Sequence, residues 1–213
     1  MASSSLSLLG ALPAQPVSGA ERISAAFGLI ALAPILVITL GTVRVLSGRA
    51  PLVAHLRVGQ FGQPLWVFKI RTMWERRQEG EPGWIEYLKD PACPATKSGV
   101  DPRVTSRVAE YLRRHSIDEL PQLAHIVAGT MRWIGPRPMT RSELDEHYGL
   151  VQAELLSVPP GLTGLWQVRG RNRLTYGQRR RLDLFLVRRF GWRLCVYVVV
   201  RTIKEVLLPR YAW

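Results

Sequence analysis

The longest uncharged stretch of the chain runs for 21 residues, from Ile23 to Val43, and charged residues bracket it on both sides. A helix of that length, at about 1.5 Å per residue, reaches roughly 31 Å, which is close to the thickness of a bilayer core. No basic region precedes the stretch, and the hydrophobic core of a signal peptide is shorter. The pattern therefore favours insertion into a membrane over a cleaved signal peptide or a buried core helix.

The middle of this stretch holds Pro34. Proline removes one backbone hydrogen bond and clashes with the preceding turn, so we expect a kink there. A kinked apolar helix can either cross the bilayer or enter and leave by the same face, and its length leaves both open. The basic residues that follow, beginning with Arg44 and Arg49, predict a cytoplasmic location for the rest of the chain. We therefore expect three regions, namely a flexible leader at 1–19, a membrane helix at 20–48 and a cytoplasmic domain at 49–213.

Beyond this stretch the spacing of apolar residues changes several times. Aromatic and β-branched residues predict a strand at 65–73, and glycines and prolines predict a surface loop at 75–103. Helical spacing returns at 104–114 and at 118–131, and it begins again near Thr175. The chain is thus expected to form an α+β domain that is mostly helical.

Two C-terminal segments combine apolar residues with charges. Between Gln178 and Phe190, leucines and phenylalanines alternate with five arginines. Such a helix either lies in the plane of the lipid headgroups or packs on the core with a solvated basic face, and the membrane helix already inferred favours the first. Residues 194–208 are too short and too often charged to span a bilayer, so we expect a core or interfacial element there.

The chain is strongly basic, because 29 Lys and Arg residues stand against 16 Asp and Glu residues and give a formal net charge of +13. Such a charge implies an anionic partner, which can be a nucleic acid, an anionic lipid surface or a phosphorylated substrate. The two cysteines, Cys93 and Cys195, lie far apart and form no metal-binding pattern. Their number and spacing fit a reducing compartment and indicate neither a disulfide framework nor a zinc site.

A pair of adjacent carboxylates, Asp118 and Glu119, interrupts the basic sequence RRHSIDELPQL. With Asp118 as the N-cap of a helix, Pro121 would be the third helical residue, where its missing N–H is harmless. The helix N-terminus and the nearby Arg113 and Arg114 would keep the carboxylate ionised and attract phosphate. An ionised carboxylate among cations is suited to attack phosphorus, and the pair could share a Mg²⁺ ion with a substrate diphosphate.

The motif GPRP at 135–138 presents Arg137 from a stiff backbone. The ring of Pro136 fixes its φ angle, and Pro138 keeps Arg137 out of the helical region. Rigid presentation suits bidentate binding of phosphate, whereas the alternative is a turn whose arginine points into solvent. The carboxylate pair nearby in the sequence favours phosphate binding.

Four motifs, in this order, resemble those of the bacterial sugar transferases: KIRTM, DPRVT, LRRHSIDELPQLAHIVAGTMRWIGPRP and PPGLTGLWQVRGRN. Members of this family are monotopic polyprenyl-phosphate phosphoglycosyltransferases, which start the assembly of envelope glycans, and the resemblance covers about residues 22–208. It implies a catalytic domain on the cytoplasmic face of the bacterial inner membrane, anchored by a re-entrant helix that is broken near Pro34. The chain is expected to be the minimal form of the family.

The resemblance also implies a two-step reaction. Asp118 is expected to attack the β-phosphate of a UDP-sugar and expel UMP, after which polyprenyl phosphate takes the phosphosugar from the carboxylate. Glu119 is expected to assist as a base or a positioning residue, and Mg²⁺ is expected to bind Asp118. The further substrate contacts expected in the same region come from Arg113, Arg137, Lys69, Arg71, Arg114 and Gln122.

The sequence departs from the family pattern at positions that spare the acidic pair and GPRP, namely Ala109, Glu110, His125, Thr130, Leu186 and Cys195. No residue argument selects the transferred sugar, the glycan pathway or the oligomeric state, a homodimer included. The expected partners are a UDP-sugar, polyprenyl phosphate and the anionic headgroups of a bilayer.

Two other functions compete with this interpretation. A nucleic-acid-binding protein would explain the charge and the run RGRNR at 169–173, but not the uncharged stretch, and no base-stacking motif is present. A catalytically inactive membrane adaptor would keep the fold, but the intact Asp118, Glu119 and Arg137 argue against it. The sequence therefore favours the enzyme and predicts no nucleic-acid partner.

Overall fold

The computed structural model describes residues 16–73, 83–89 and 106–208, with the exception of the Asn172 side chain. Within these ranges the chain forms one long N-terminal helix, seven shorter α-helices and two small sheets. This architecture confirms the predicted α+β class with mostly helical content. The leader predicted at 1–19 and the loop predicted at 75–103 lie mostly outside the described residues.

Helix α1 (Gly19–Ser47) contains the uncharged stretch. It begins with a capping box, in which Ser18 accepts a hydrogen bond from the Glu21 N–H and the Glu21 side chain accepts one from the Ser18 N–H. It ends at Gly48, whose φ of 69° is left-handed and therefore favours glycine. By length and composition alone, α1 could cross a membrane, and most of its apolar side chains are exposed.

Pro34 lies inside α1, and the helix continues through it without interruption. The break expected near Pro34 in the membrane helix at 20–48 therefore does not interrupt the helix, and its re-entrant arrangement stays a prediction. The physical reason is that proline costs one hydrogen bond of the ladder, which a long helix tolerates with a bend. Entry of this helix into a membrane stays a prediction.

Both ends of α1 pack against the rest of the chain. Near its start, Arg22 Nε donates to the carbonyl of Val127 at 2.9 Å. Near its end, Val43 is fully buried in a cluster with Ile70 and Leu112. Both ends of α1 are therefore anchored to the domain that contains the larger sheet.

The larger sheet has three strands in the order β2–β1–β3. Its strands are β1 (Leu52–Val58), β2 (Pro64–Ile70) and β3 (Ile85–Leu88). Strands β1 and β2 form an antiparallel hairpin, and β3 pairs with β1 in parallel. Strand β2 confirms the strand predicted at 65–73.

The sequence did not predict β1 or β3. In β1 the polar His55 and Arg57 alternate with Ala54, Leu56 and Val58, which is the pattern of a half-buried strand but extends over few residues. Strand β3 corrects part of the loop predicted at 75–103, because the free edge of β1 supplies backbone partners to a segment with little pattern of its own.

The second sheet consists of two parallel strands, β4 (Arg132–Ile134) and β5 (Gly161–Thr163). The shorter helices are α2 (Arg107–Arg114), α3 (Leu123–Ala128), α4 (Arg141–His147), α5 (Gln152–Leu155), α6 (Leu165–Arg169), α7 (Tyr176–Arg188) and α8 (Trp192–Leu207). Helix α2 confirms the helical spacing at 104–114, and α7 begins after Thr175 as predicted, with that threonine as its N-cap.

The main contact between helix α1 and the sheet passes through α3. Leu123 and Ile126 of α3 are buried against Leu65 and Val67 of β2, and Ala25 of α1 belongs to the same cluster. This packing places the segment just before α3, which carries the acidic pair, against the larger sheet.

Candidate active site

An open cavity of about 200 Å³ lies between the larger sheet and the turn that carries the acidic pair. Val53 and Lys69 are cross-strand partners, so they lie on one face of the sheet. The residues that line the cavity from the sheet include Val53, His55, Arg57, Lys69 and Arg71, and those opposite are Arg113, Asp118, Glu119 and Arg137. The cavity thus brings together both acidic residues and four of the predicted substrate-binding cations.

Asp118 and Glu119 lie on a 3₁₀ turn, Ile117–Gln122, and not at the start of an α-helix. Ser116 before the turn has a left-handed φ of 56°. The expected N-cap at Asp118 is therefore wrong, since Asp118 is the second residue of the turn and Pro121 lies inside it. Hydrogen bonds between residues i and i+3 form this short turn, so proline disturbs it less than a longer helix.

Glu119 is held by two cations. Lys69 Nζ donates to Glu119 Oε1 at 2.7 Å, and Arg137 Nη1 donates to the same oxygen at 3.3 Å. Among the described residues, Asp118 forms no ion pair of this kind. The two neighbouring carboxylates therefore have different surroundings.

The difference appears in their ionisation. Burial raises the pKa of Asp118 to about 7; the positive charge of Lys69 opposes this shift and the negative charge of Glu119 adds to it. Burial acts in the same direction on Glu119, but the charges and hydrogen bonds of Lys69 and Arg137 outweigh it and hold the pKa of Glu119 well below its usual range. Glu119 is thus ionised at neutral pH, whereas Asp118 is divided between its two forms. The expectation that its surroundings keep Asp118 ionised is wrong.

The GPRP loop is fixed to strand β5. Gly135 N–H donates to the carbonyl of Thr163 at 3.0 Å, and Gly161 N–H donates to the carbonyl of Pro136 at 2.8 Å. A side chain on Gly161 would collide with the backbone of Gly135, so only glycine allows this close approach. The Arg137 side chain consequently reaches into the cavity from a fixed backbone and does not point into solvent.

Besides Arg137, two more of the predicted arginines, Arg113 and Arg71, line the cavity. Arg71 is also bound from the sheet side, because its Nε donates to the carbonyl of Ala50 at 2.7 Å and its guanidinium pairs with Glu86. Its side chain is only 6% exposed. These contacts give Arg71 a structural role, and substrate binding by Arg71 stays a prediction.

The other two predicted residues do not line the cavity. Arg114 is 45% exposed and pairs with Glu110 one helical turn earlier, at 2.9 Å. Gln122 is buried at the end of the acidic turn. The geometry therefore does not bring Arg114 or Gln122 to the acidic pair.

Two residues of β1, His55 and Arg57, line the cavity although the sequence had not singled them out. The Nη1 atom of Arg57 lies 3.7 Å from Glu143 Oε2. The signal that could have identified them is their alternation with Val53, which would place all three on one face of a strand. These two residues can therefore be assigned to the cavity only once Leu52–Val58 is known to be a strand.

Arg171 is a further cation near the acidic pair, in a motif that the sequence matched to the family without assigning it a role. Its backbone is left-handed, with φ of 48°, and its Nε donates to the carbonyl of Gln167 at 3.3 Å. Burial lowers the pKa of Arg171, and the negative charges of Glu205, Glu119 and Asp118 act in the opposite direction. Arg171 thus lies in the field of the acidic pair.

Two departures from the family pattern, His125 and Thr130, contact each other. The Nδ1 atom of His125 lies 3.3 Å from Thr130 Oγ1, and the threonine hydroxyl donates to the carbonyl of His125 at 3.2 Å. The imidazole stacks on Phe68 of β2, and burial lowers the pKa of His125. This pair therefore packs against strand β2.

Comparison with known proteins identifies the family. The family model described as bacterial sugar transferase matches residues 18–209, which is nearly the whole chain. The chain therefore belongs to the bacterial sugar transferases and is a transferase enzyme, which confirms the prediction from the motifs.

Three relatives show the range of the family. The exopolysaccharide production protein ExoY of Sinorhizobium fredii is 36% identical over 207 residues, which cover 92% of this chain and 89% of the relative. The undecaprenyl-phosphate galactose phosphotransferase of Salmonella typhimurium is 34% identical over 166 residues, which cover 76% of this chain and 34% of the relative. The UDP-glucose:undecaprenyl-phosphate glucose-1-phosphate transferase of Klebsiella pneumoniae is 32% identical over 169 residues, which cover 77% and 34%.

Proposed function

We propose that this enzyme transfers a sugar 1-phosphate from a UDP-sugar to undecaprenyl phosphate and releases UMP. The names of the Salmonella and Klebsiella relatives describe this type of transfer. The observation that carries the proposal for this chain is the cavity in which Asp118 faces Lys69, Arg113 and Arg137. A diphosphate is the substrate group that such a set of cations would hold beside a carboxylate.

Asp118 is the proposed nucleophile. Its ionised carboxylate attacks the β-phosphorus of the donor, a bond from the carboxylate oxygen to phosphorus forms, and the bond from phosphorus to the UMP oxygen breaks. A phosphate oxygen of undecaprenyl phosphate then attacks the same phosphorus and releases Asp118. Because the pKa of Asp118 is about 7, part of the residue is ionised at neutral pH, and the ionised carboxylate is the nucleophilic form.

Glu119 is proposed as a positioning residue and not as a general base. Its pKa lies well below the usual range, so it accepts a proton poorly at neutral pH. Its Oε1 atom instead holds both Lys69 and Arg137 at one side of the cavity. Removal of the Glu119 charge would release two cations that the donor phosphates need.

The residues present fit Mg²⁺. The described residues contain no cluster of three or more metal-binding side chains, but Mg²⁺ binds through one or two carboxylates when substrate phosphates and waters complete its shell. Asp118 supplies a carboxylate that the described cations leave without an ion pair. Asp118 would hold the ion, which would supply neutralising charge for the diphosphate.

The proposed location is the bacterial inner membrane, with the cavity at its cytoplasmic face. Helix α1 exposes apolar side chains along its middle, and 47% to 72% of Ile30, Ile35 and Ile38 is accessible. Both ends of α1 contact the same domain, so a bend at Pro34 would let the middle of the helix enter one leaflet while both ends stay at the same face. A lipid-linked acceptor phosphate would then be presented at the level of the cavity.

The experiment that tests this function measures UMP release from a panel of UDP-sugars. The full chain in nanodiscs containing anionic lipid is supplied with undecaprenyl phosphate and Mg²⁺, and Asp118→Asn is compared with Asp145→Asn, a matched change outside the cavity. We expect release with one or a few donors, loss after chelation of Mg²⁺, and loss in Asp118→Asn only. Absence of release from every donor would contradict the proposal and favour an inactive adaptor.

A further inference from the structure

The last two turns of helix α8 have an inverted polarity. Three of their four polar residues, Arg201, Thr202 and Glu205, are partly or fully buried, and Lys204 is exposed. Four of their five apolar residues are exposed, namely Val199 (43%), Val200 (58%), Ile203 (52%) and Leu207 (67%), and Val206 is half-buried. A helix that only packed on a core would show the opposite arrangement, so the inward polar residues need another explanation.

The first inward contact joins α8 to the loop that carries Arg137. The Thr202 hydroxyl donates to the carbonyl of Val198 at 2.8 Å, so the hydroxyl of Thr163, also 2.8 Å away, is the donor to Thr202 Oγ1. The carbonyl of the same Thr163 accepts the N–H of Gly135. One threonine of α8 is thus connected through β5 to the GPRP loop.

The second inward contact joins α8 to the acidic turn. The carbonyl of Val206 lies 2.7 Å from His115 Nδ1, which must therefore carry the proton and donate it. His115 ends helix α2, directly after Arg114 and before the left-handed Ser116. The position at which α2 ends and the acidic turn begins is consequently fixed from α8.

The third inward contact is electrostatic. Glu205 is only 4% exposed, and it is the largest of the charges that oppose the effect of burial on the pKa of Arg171. Asp118 and Glu119 act on the same guanidinium. The negative charges of Glu205 and of the acidic pair thus act on the same guanidinium.

We propose that Thr202–Val206, which we name the bracing segment, sets the relative positions of the GPRP loop and the acidic turn. Thr202 and His115 are then positioning residues for the phosphosugar transfer, although neither lines the cavity. The expected effect on rate rests on the proposed function, whereas the effect on local structure does not. A displacement of about 1 Å in a catalytic group can lower a rate by about a hundredfold, so these contacts matter for turnover.

Pairs of substitutions at one position separate positioning from folding. Thr202→Val keeps the shape of the side chain and removes the acceptor for Thr163, whereas Thr202→Ser keeps the hydroxyl. Thr39→Val is the matched control, because it removes a similar hydroxyl bond (2.7 Å to the Ile35 carbonyl) far from the cavity. We expect Thr202→Val to lower kcat for UMP release about tenfold with an unchanged melting temperature, and both other variants to stay within about twofold of wild type.

The other two contacts are tested in the same way. His115→Asn keeps a donor near the position of Nδ1 and is expected to retain activity, whereas His115→Leu is expected to lose most of it. Glu205→Gln is expected to raise the KM for the donor, because Arg171 loses its buried partner charge. Its control is Glu146→Gln at an exposed position, whose carboxylate is 67% accessible.

Hydrogen exchange tests the effect of the bracing segment on local structure without any assay of activity. We expect amides in residues 113–122 to exchange faster in His115→Leu, and amides in 132–138 to exchange faster in Thr202→Val, with wild-type rates in His115→Asn and Thr202→Ser. Equal exchange and equal kcat in the Val and Ser variants of Thr202 would overturn the inference. An inactive wild-type protein whose variants still showed the exchange differences would refute the proposed function but support the structural effect of the bracing segment.

Discussion

Lys69 Nζ lies 2.7 Å from Glu119 Oε1, so the lysine of the cavity pairs with the second carboxylate of the acidic pair and not with the first. This pairing explains why two adjacent acidic residues differ in ionisation. The charge of the ionised Glu119 is balanced by its direct partner Lys69, which keeps its pKa low. Asp118 has no direct partner of this kind, so the rise in its pKa caused by burial is only partly opposed by more distant cations. One carboxylate holds the cations in place, and the other is available for chemistry.

Lys69 is expected to be essential for turnover. Lys69→Met removes a partner of Glu119 and a positive charge near the donor phosphates, so we expect UMP release to fall by a factor of about 100 or more. Steady-state assays of kcat and KM check this, with Lys204→Met on the exposed side of α8 as the control. A loss below about threefold in Lys69→Met would contradict a role for this lysine in the transfer.

The pH dependence of kcat/KM is expected to report Asp118. The residue attacks as a carboxylate, so activity should rise with pH and level off above a pKa of about 7 in the free enzyme. Because Lys69 opposes the upward shift, Lys69→Met should move this limb to higher pH. Initial rates between pH 5.5 and 9 measure the limb, and a kcat/KM that stays flat over this range would mean that the titrating nucleophile is not this residue.

Asp118 is expected to destabilise the fold at high pH. Its pKa is raised from 3.8 to about 7 on folding, so the unfolded chain ionises more readily and stability decreases as pH rises from about 4 to 7. Asp118→Asn should therefore raise the melting temperature by about 5 °C at pH 8 and hardly change it at pH 4. Thermal unfolding at both pH values checks the sign, and an equal effect at both would contradict the pKa.

Arg71 is expected to act mainly on stability. Its buried guanidinium pairs with Glu86 and donates to the carbonyl of Ala50, so Arg71→Met removes this donor from the carbonyl and leaves Glu86 with its partner Arg49. Loss of a hydrogen bond from a charged donor costs about 1–3 kcal/mol, which denaturant unfolding would detect. Glu86→Gln is the comparison, since it keeps a hydrogen-bond acceptor. A raised KM for the donor in Arg71→Met with unchanged stability would show instead that Arg71 binds substrate.

The sequence predicted the site better than the fold around it. The positions of Asp118, Glu119 and Arg137 follow from short motifs whose local stiffness decides the outcome, and the structure places all three at one cavity. By contrast, β1 was not predicted, because its alternation of polar and apolar residues is short. Its two polar residues, His55 and Arg57, line the cavity, where a polar side chain is needed and an apolar strand residue is not.

Two further differences have the same origin in long-range packing. The start of the acidic turn depends on the hydrogen bond between His115 and the carbonyl of Val206, which is 91 residues away in the sequence. The low pKa of Glu119 depends on Lys69, 50 residues earlier. Capping rules and local charge describe neighbours along the chain, so they could predict neither feature.

Asp118 carries the phosphosugar in the proposed reaction, and mass analysis of the protein tests this step most directly. The full chain in nanodiscs is incubated with Mg²⁺ and a UDP-sugar that supports UMP release, without undecaprenyl phosphate, and is then digested and sequenced by mass spectrometry. We predict an added hexose phosphate, or the corresponding modified sugar phosphate, on the peptide that contains Asp118, with the mass absent in Asp118→Asn and discharged by undecaprenyl phosphate. The same mass on Glu119, or UMP release without any protein adduct, would contradict the account.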